Sequence, residues 1–154
     1  MPLDDHSQPV YTTANVFTSD WRFPERSRDN PPTPQMTANA TLLIARVLRL
    51  LREYTRLAKP DLAAEGRIYR PTITSGYRPP LDNHRVGGAS KSNHLTCAAV
   101  DLADPDNTLD AWLLQNQSVL AMCGLWLEHP ESTPGWVHLQ CVPPASGKQV
   151  FGVR

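Results

Sequence analysis

Apolar residues recur at three- and four-residue spacing from Leu43 to Leu57, through Val47, Leu50, Leu51 and Tyr54. Arg46, Arg49, Arg52, Glu53 and Arg56 fall mostly between them. That period predicts an amphipathic helix over residues 38–58, stopped by Pro60. Its basic face is expected to be solvated rather than to grip a phosphate-bearing polymer. A second helical pattern runs over 108–123, with Leu109, Trp112, Leu113, Leu120 and Cys123 on one face. Asn107 or Thr108 is placed to cap it, Asp110 suits its positive end, and Gly124 ends it. Short apolar runs predict strands at Ile73-Thr74, 98–102, 125–128, 136–142 and 150–153. From Ser75 to Ser90, Gly and Pro predict loop.

Residues 1–36 are polar and end in Asn30-Pro31-Pro32-Thr33-Pro34. Proline fixes φ and removes a donor, so this segment is expected to be extended and irregular. Tyr11, Phe17, Trp21 and Phe23 are expected to pin it to the body. The pattern predicts the α+β class, with helices packed on one face of a small antiparallel sheet. A single domain over 1–154 is expected, with an irregular segment 1–36 and a body 37–154.

Composition narrows the function. The 154 residues carry 15 basic and 15 acidic side chains, for a formal net charge of zero. A globally basic nucleic-acid binder is not expected. The most apolar stretch, around 42–51, is interrupted by Arg46 and Arg49. It falls short of the roughly 18 continuous apolar residues that mark a transmembrane helix. Cys97, Cys123 and Cys141 form no CxxC pair and read as reduced thiols. Met1-Pro2-Leu3-Asp4-Asp5 is not a basic region leading into an apolar run, so no signal peptide is expected.

Between residues 92 and 147 there is no Lys or Arg, yet Asp101, Asp104, Asp106, Asp110, Glu128 and Glu131 lie there with His94, His129 and His138. A cation-free, acidic stretch with histidines suits a divalent metal ion. Zinc in a hydrolase takes three protein ligands and keeps one position open. Two imidazoles and one carboxylate leave net positive charge on the ion, which acidifies a water. His94, Asp101 and His138 are one trio among the five histidines that meets this need. A histidine in a strand also serves as an ordinary structural residue.

The local sequence is more specific. Ser75-Gly76-Tyr77-Arg78 comes first, then Asn83 and Val86-Gly87-Gly88-Ala89. Next is Ser92-x-His94-x-x-x-x-Ala99-x-Asp101, and last Trp136-x-His138. Together these resemble the zinc D-Ala-D-Ala carboxypeptidase and murein endopeptidase family. That family includes bacteriophage endolysins and shares its fold with the hedgehog signalling domain. The resemblance covers roughly residues 36–142. It implies that His94, Asp101 and His138 bind Zn²⁺. It also implies that Arg78 holds a substrate carboxylate or a developing oxyanion, a role suited to a permanently charged two-pronged donor. Ser92 matches a substrate-binding or supporting hydroxyl, and equally an ordinary turn residue. Gly87 and Gly88 are expected to let the backbone turn tightly beside the site.

The resemblance further implies a monomeric peptidase acting on peptidoglycan stem peptides, with no nucleic-acid partner and no integral membrane segment. Its setting would be a phage or prophage lysis enzyme, made in the cytoplasm and released by a holin. The rival is a catalytically weak or inactive relative serving as a phage structural or cell-wall-binding module. Two departures sustain that rival. The family glycine before Ala99 is Cys97, either a buried inert thiol or a competing ligand. The glutamate that many relatives carry three residues before the last ligand is Gly135. The general base is then expected to be Glu128, at the end of a strand, with Glu131 and His129 as alternatives.

Overall fold

A computed structural model describes residues 11–18 and 23–152. Helices α1 (Thr13–Thr18), α2 (Pro24–Asp29), α3 (Pro34–Ala58) and α4 (Pro60–Ala64) precede strand β1 (Ile73–Ser75). Helix α5 (Pro80–Arg85), a 3₁₀ turn at Asn93–Thr96, β2 (Ala99–Ala103), α6 (Thr108–Gln115) and α7 (Gln117–Cys123) follow. The chain ends with β3 (Trp126–Glu128), a 3₁₀ turn at Pro130–Ser132, β4 (Trp136–Gln140) and β5 (Val150–Phe151). The class is α+β.

The five strands form one sheet in the order β1-β2-β4-β3-β5. The pairs β1–β2, β2–β4 and β3–β4 are antiparallel. Strand β5 pairs parallel to β3, so the sheet is mixed rather than wholly antiparallel. The period of two along each strand sorts its side chains by face. Val100, Leu102, Leu127, Val137 and Leu139 are fully buried. They share one core with Leu43, Val47, Leu50, Leu51 and Tyr54 of α3 and with Leu109, Leu113 and Leu120 of α6 and α7. The alternate residues, Asp101, Glu128, Trp136, His138 and Gln140, line a cleft.

Prolines mark the main departures from expectation. The N-terminal segment is not extended where it is described: α1 and α2 lie in it, and α3 begins at Pro34 rather than near residue 38. Pro24, Pro34, Pro60 and Pro80 all stand at the first turn of a helix. There the missing N–H has no partner to lose and the fixed φ already suits the helix. Thr33 caps α3 by accepting from the Met36 amide at 3.2 Å. Helix α5 replaces expected loop for the same reason. Tyr11 is buried and donates to the Pro71 carbonyl. Phe17 meets the Tyr77 ring edge-on at 6.2 Å, and the Arg26 guanidinium lies over the Phe23 ring at 3.8 Å. Trp21, His6 and Val153 lie outside the described residues.

The second predicted helix is two. Asn116 breaks it, its side-chain amide donating to the Trp112 carbonyl at 2.7 Å. Neither Asn107 nor Thr108 caps α6 by its side chain. The Asp104 carboxylate accepts instead from the Leu109 and Asp110 amides at 3.1 and 2.9 Å. On α3, Arg46 donates to the Gly124 and Cys141 carbonyls at 3.0 and 3.1 Å, and Arg49 to the Met122 carbonyl at 3.2 Å. These two arginines close the C-terminus of α7 rather than forming a freely solvated face. No helix among the described residues is long and apolar enough to cross a membrane. Cys97, Cys123 and Cys141 are free and buried.

Candidate active site

Strand register makes the site. Asp101 of β2 and His138 of β4 are direct antiparallel partners on the same face. His138 Nδ1 lies 2.9 Å from Asp101 Oδ1. His94 comes from the 3₁₀ turn before β2, and its Nε2 lies 3.3 Å from Asp101 Oδ2. One ligand atom from each of His94, Asp101 and His138 falls within 4.8 Å of the others, a group that could hold a metal ion. The trio floors a cleft of about 370 Å³.

Each imidazole is oriented from behind. The Gly76 carbonyl accepts a hydrogen bond from His94 Nδ1 at 2.8 Å, which leaves the Nε2 lone pair facing Asp101. Gly76 itself is required, because a Cβ there would stand 2.1 Å from the Val16 carbonyl oxygen. The neighbouring Tyr77 amide donates to that same oxygen at 2.7 Å, so α1 is clamped against the turn that holds His94. His138 Nε2 is 3.1 Å from Gln140 Oε1. The Gln140 amide nitrogen donates to the Val142 carbonyl at 2.9 Å.

These contacts test the donor set for a metal. An amide oxygen only accepts, so a proton on His138 Nε2 satisfies it and leaves Nδ1 of the neutral ring a bare lone pair. That lone pair faces a carboxylate, which also only accepts. Two acceptors at 2.9 Å need a positive charge between them. Without a metal, a second ring proton meets that need. Burial would lower the His138 pKa, but hydrogen bonding and charge from Asp101, with smaller help from Gln140 and Glu128, raise it overall. Burial likewise works against the Asp101 carboxylate, yet His94 and His138 hold it well below the usual range. A zinc ion satisfies the same lone pairs, and the donors fit it.

The other expected residues gather here with different success. Arg78 NH1 donates to Asn83 Oδ1 at 3.1 Å and NH2 to Ser75 Oγ at 3.4 Å. NH2 is 3.9 Å from Asp101 Oδ2. Gly88 permits this packing, since a Cβ would come within 2.0 Å of Asn83 Oδ1 and 2.8 Å of Arg78 NH1. Ser92 lines the cleft, and its Oγ accepts from the His94 amide at 3.2 Å. Glu128 lines the cleft too, with Oε2 at 4.0 Å from His138 Nδ1 and its side chain 33 % exposed. His129 and Glu131 do not line it. The His129 ring is spent accepting from the Glu131 amide at 3.1 Å. Gly135 has φ of +88°, a conformation that a glutamate there would adopt only with strain.

Cys97 ends the 3₁₀ turn in the left-handed region, φ 62°. Burial pushes its thiol up to about 12, so it stays protonated. It is not part of the metal-capable group. The Gln140 contact was not anticipated, although alternation along β4 puts residue 140 on the same face as residue 138.

The Peptidase M15 family model matches residues 65–140, close to half of the chain. The match supports a zinc metallopeptidase of that family. It spans all three members of the metal-capable trio together with Arg78, Glu128 and Gln140. No curated protein and no solved structure matches.

Proposed function

We propose that the protein is a zinc peptidase that hydrolyses amide bonds in peptidoglycan stem peptides, in the manner of a phage or prophage lysis enzyme. The observation that carries the peptidase reading is the convergence of His94, Asp101 and His138 on the floor of a cleft walled by Arg78 and Glu128. The ordered motifs from Ser75 to His138 support the substrate class. His94 Nε2, a carboxylate oxygen of Asp101 and His138 Nδ1 would hold the zinc. When bound, zinc in such a set supplies a Lewis acid that acidifies water and polarises a carbonyl.

The chain's own residues complete the chemistry. Glu128 takes the proton of the attacking water and delivers it to the leaving amine, a role that needs a carboxylate near the ligands but free of them. Arg78 is held by Asn83 and Ser75, so its guanidinium is oriented before substrate arrives. It remains charged throughout and balances the developing oxyanion or a substrate carboxylate. Placing Glu128 on the cleft wall favours an enzyme over a catalytically silent binding module.

Mass spectrometry of purified muropeptides, incubated with the full-length protein, tests the reading. A stem-peptide product that disappears with chelator and returns with zinc is expected. Intact muropeptides beside cleavage of unrelated peptides would remove the substrate assignment. No cleavage by a zinc-loaded, folded protein would return the binding-module reading to first place.

A further inference from the structure

Gln140 occupies a position where an amide is costly. Strand β4 runs between β2 and β3, and Gln140 is register partner to Ala99 on one side and Trp126 on the other. It is 3 % exposed. A buried amide is tolerated only when its polar atoms are paired, and an apolar side chain of similar volume would pack here without that requirement. Both ends of this amide are paired, and the order matters. The nitrogen donates to the Val142 carbonyl at 2.9 Å. Reversing the amide would set its oxygen against that carbonyl oxygen. The oxygen is therefore committed to His138 Nε2, 3.1 Å away.

We propose that Gln140 selects the tautomer of His138: it retains the ring proton on Nε2, so that Nδ1 presents its lone pair to the cluster formed with Asp101 and His94. Gln140 is thus a positioning residue that acts through His138. The inference rests on the zinc reading above for its consequence, but its geometry stands on the strand alone. Val142 sets the amide, the amide sets the ring, and the ring sets which nitrogen can serve as a ligand. The opposite tautomer would put a proton between Nδ1 and an incoming metal ion, which that proton must leave before the ion can bind.

The test uses the full-length protein with ¹⁵N-labelled histidine. In metal-free protein at alkaline pH, imidazole nitrogen shifts should show His138 protonated at Nε2. In the zinc-loaded protein they should show Nδ1 as the ligand atom. Competition with a chromophoric chelator should show Gln140→Leu binding zinc about ten- to hundredfold more weakly, the usual cost of losing a partner behind a ligating histidine. Gln140→Glu keeps an acceptor facing Nε2 and should restore most of that affinity, at lower thermal stability because its second oxygen faces the Val142 carbonyl. A purely structural glutamine would lower thermal stability in both variants and leave the tautomer alone. The proposal is overturned by zinc on His138 Nε2, by a proton on Nδ1 rather than Nε2 in the neutral metal-free ring, or by wild-type zinc affinity in folded Gln140→Leu. Should wild type bind no zinc, the zinc reading fails on its own, and the metal-free ring assignment still decides the tautomer. The same assignment decides it if Gln140→Leu does not fold.

Discussion

Two aspartates show how differently this fold treats a sequestered acid. Asp101, on the cleft face of β2, has a side chain only 13 % exposed. It is met by His94, His138 and, more distantly, Arg78. Asp110, in the first turn of α6, is fully buried. Neither of its carboxylate oxygens has a hydrogen-bond partner among the described residues. Its neighbour is another acid, Asp104, which is occupied with capping the helix. Burial works against ionisation at both positions. Cationic partners overcome it at Asp101, whereas burial reinforced by Asp104 raises the Asp110 carboxyl to about 7. Removal from water therefore does not decide charge; the partners do.

The same substitution at both positions should break the symmetry most visibly. Asp101→Asn removes a ligand charge, and zinc content and muropeptide cleavage should both fall below detection. Elemental analysis and the digestion assay read this, and unchanged zinc content would discard the ligand set. Next in size is Glu128→Gln, which leaves the Asp101 cluster whole but cannot take a proton. Turnover should drop roughly 10²–10⁴-fold, with normal zinc content and melting temperature. Glu131→Gln should stay within about tenfold of wild type, because that side chain does not reach the cleft. Reversed results for the two variants would move the base to Glu131.

Asp110→Asn should do the reverse of Asp101→Asn and stabilise the fold. The sign follows from proton linkage. The unfolded carboxyl releases its proton near pH 4, while the native one keeps it to about 7. Between those values the native state binds more protons, so wild-type stability falls as pH rises from about 4 to 7 and is level above. Asparagine escapes that loss. At pH 8 the gain should be about 1–3 kcal/mol, the scale of an unsatisfied buried group, and at pH 5 it should be smaller. Urea unfolding at the two pH values measures it. A loss at pH 8 would mean that the carboxylate is paired after all.

The smallest effect concerns Cys97. Glycine there relieves a left-handed conformation worth about 1–2 kcal/mol but empties a packed site at a similar cost. Cys97→Gly should shift stability by no more than about 1 kcal/mol, the difference of those opposing terms. Zinc content should be unchanged and activity within about tenfold. Loss of zinc on this substitution would make the thiol a ligand, against its burial and its raised pKa.

Much of this molecule is legible along the chain where one period dominates. The spacing from Leu43 to Leu57 predicts α3, and short apolar runs around Val100 and Val137 predict the two strands that carry Asp101 and His138. The ordered motifs select His94, Asp101 and His138 from five histidines and many acids. Prolines were harder to read, because the same ring that ends one helix begins another, as at Pro60 between α3 and α4. Arg46 and Arg49 read as solvent-facing because the carbonyls they close belong to a helix some 70 residues or more away in sequence.

The sequence by itself determined which residue types were available and on which face of each element they fall, since periods of 3.6 and 2 follow from backbone geometry alone. Only the tertiary structure decided how those residues treat one another. It aligned β2 with β4 so that Asp101 meets His138. It turned the Gln140 amide toward His138 Nε2, and it left Asp110 beside Asp104 with no hydrogen-bond partner among the described residues. Charge state, tautomer and ligand geometry depend on distances of about 3 Å between atoms far apart in sequence, where Coulomb and hydrogen-bond energies change steeply.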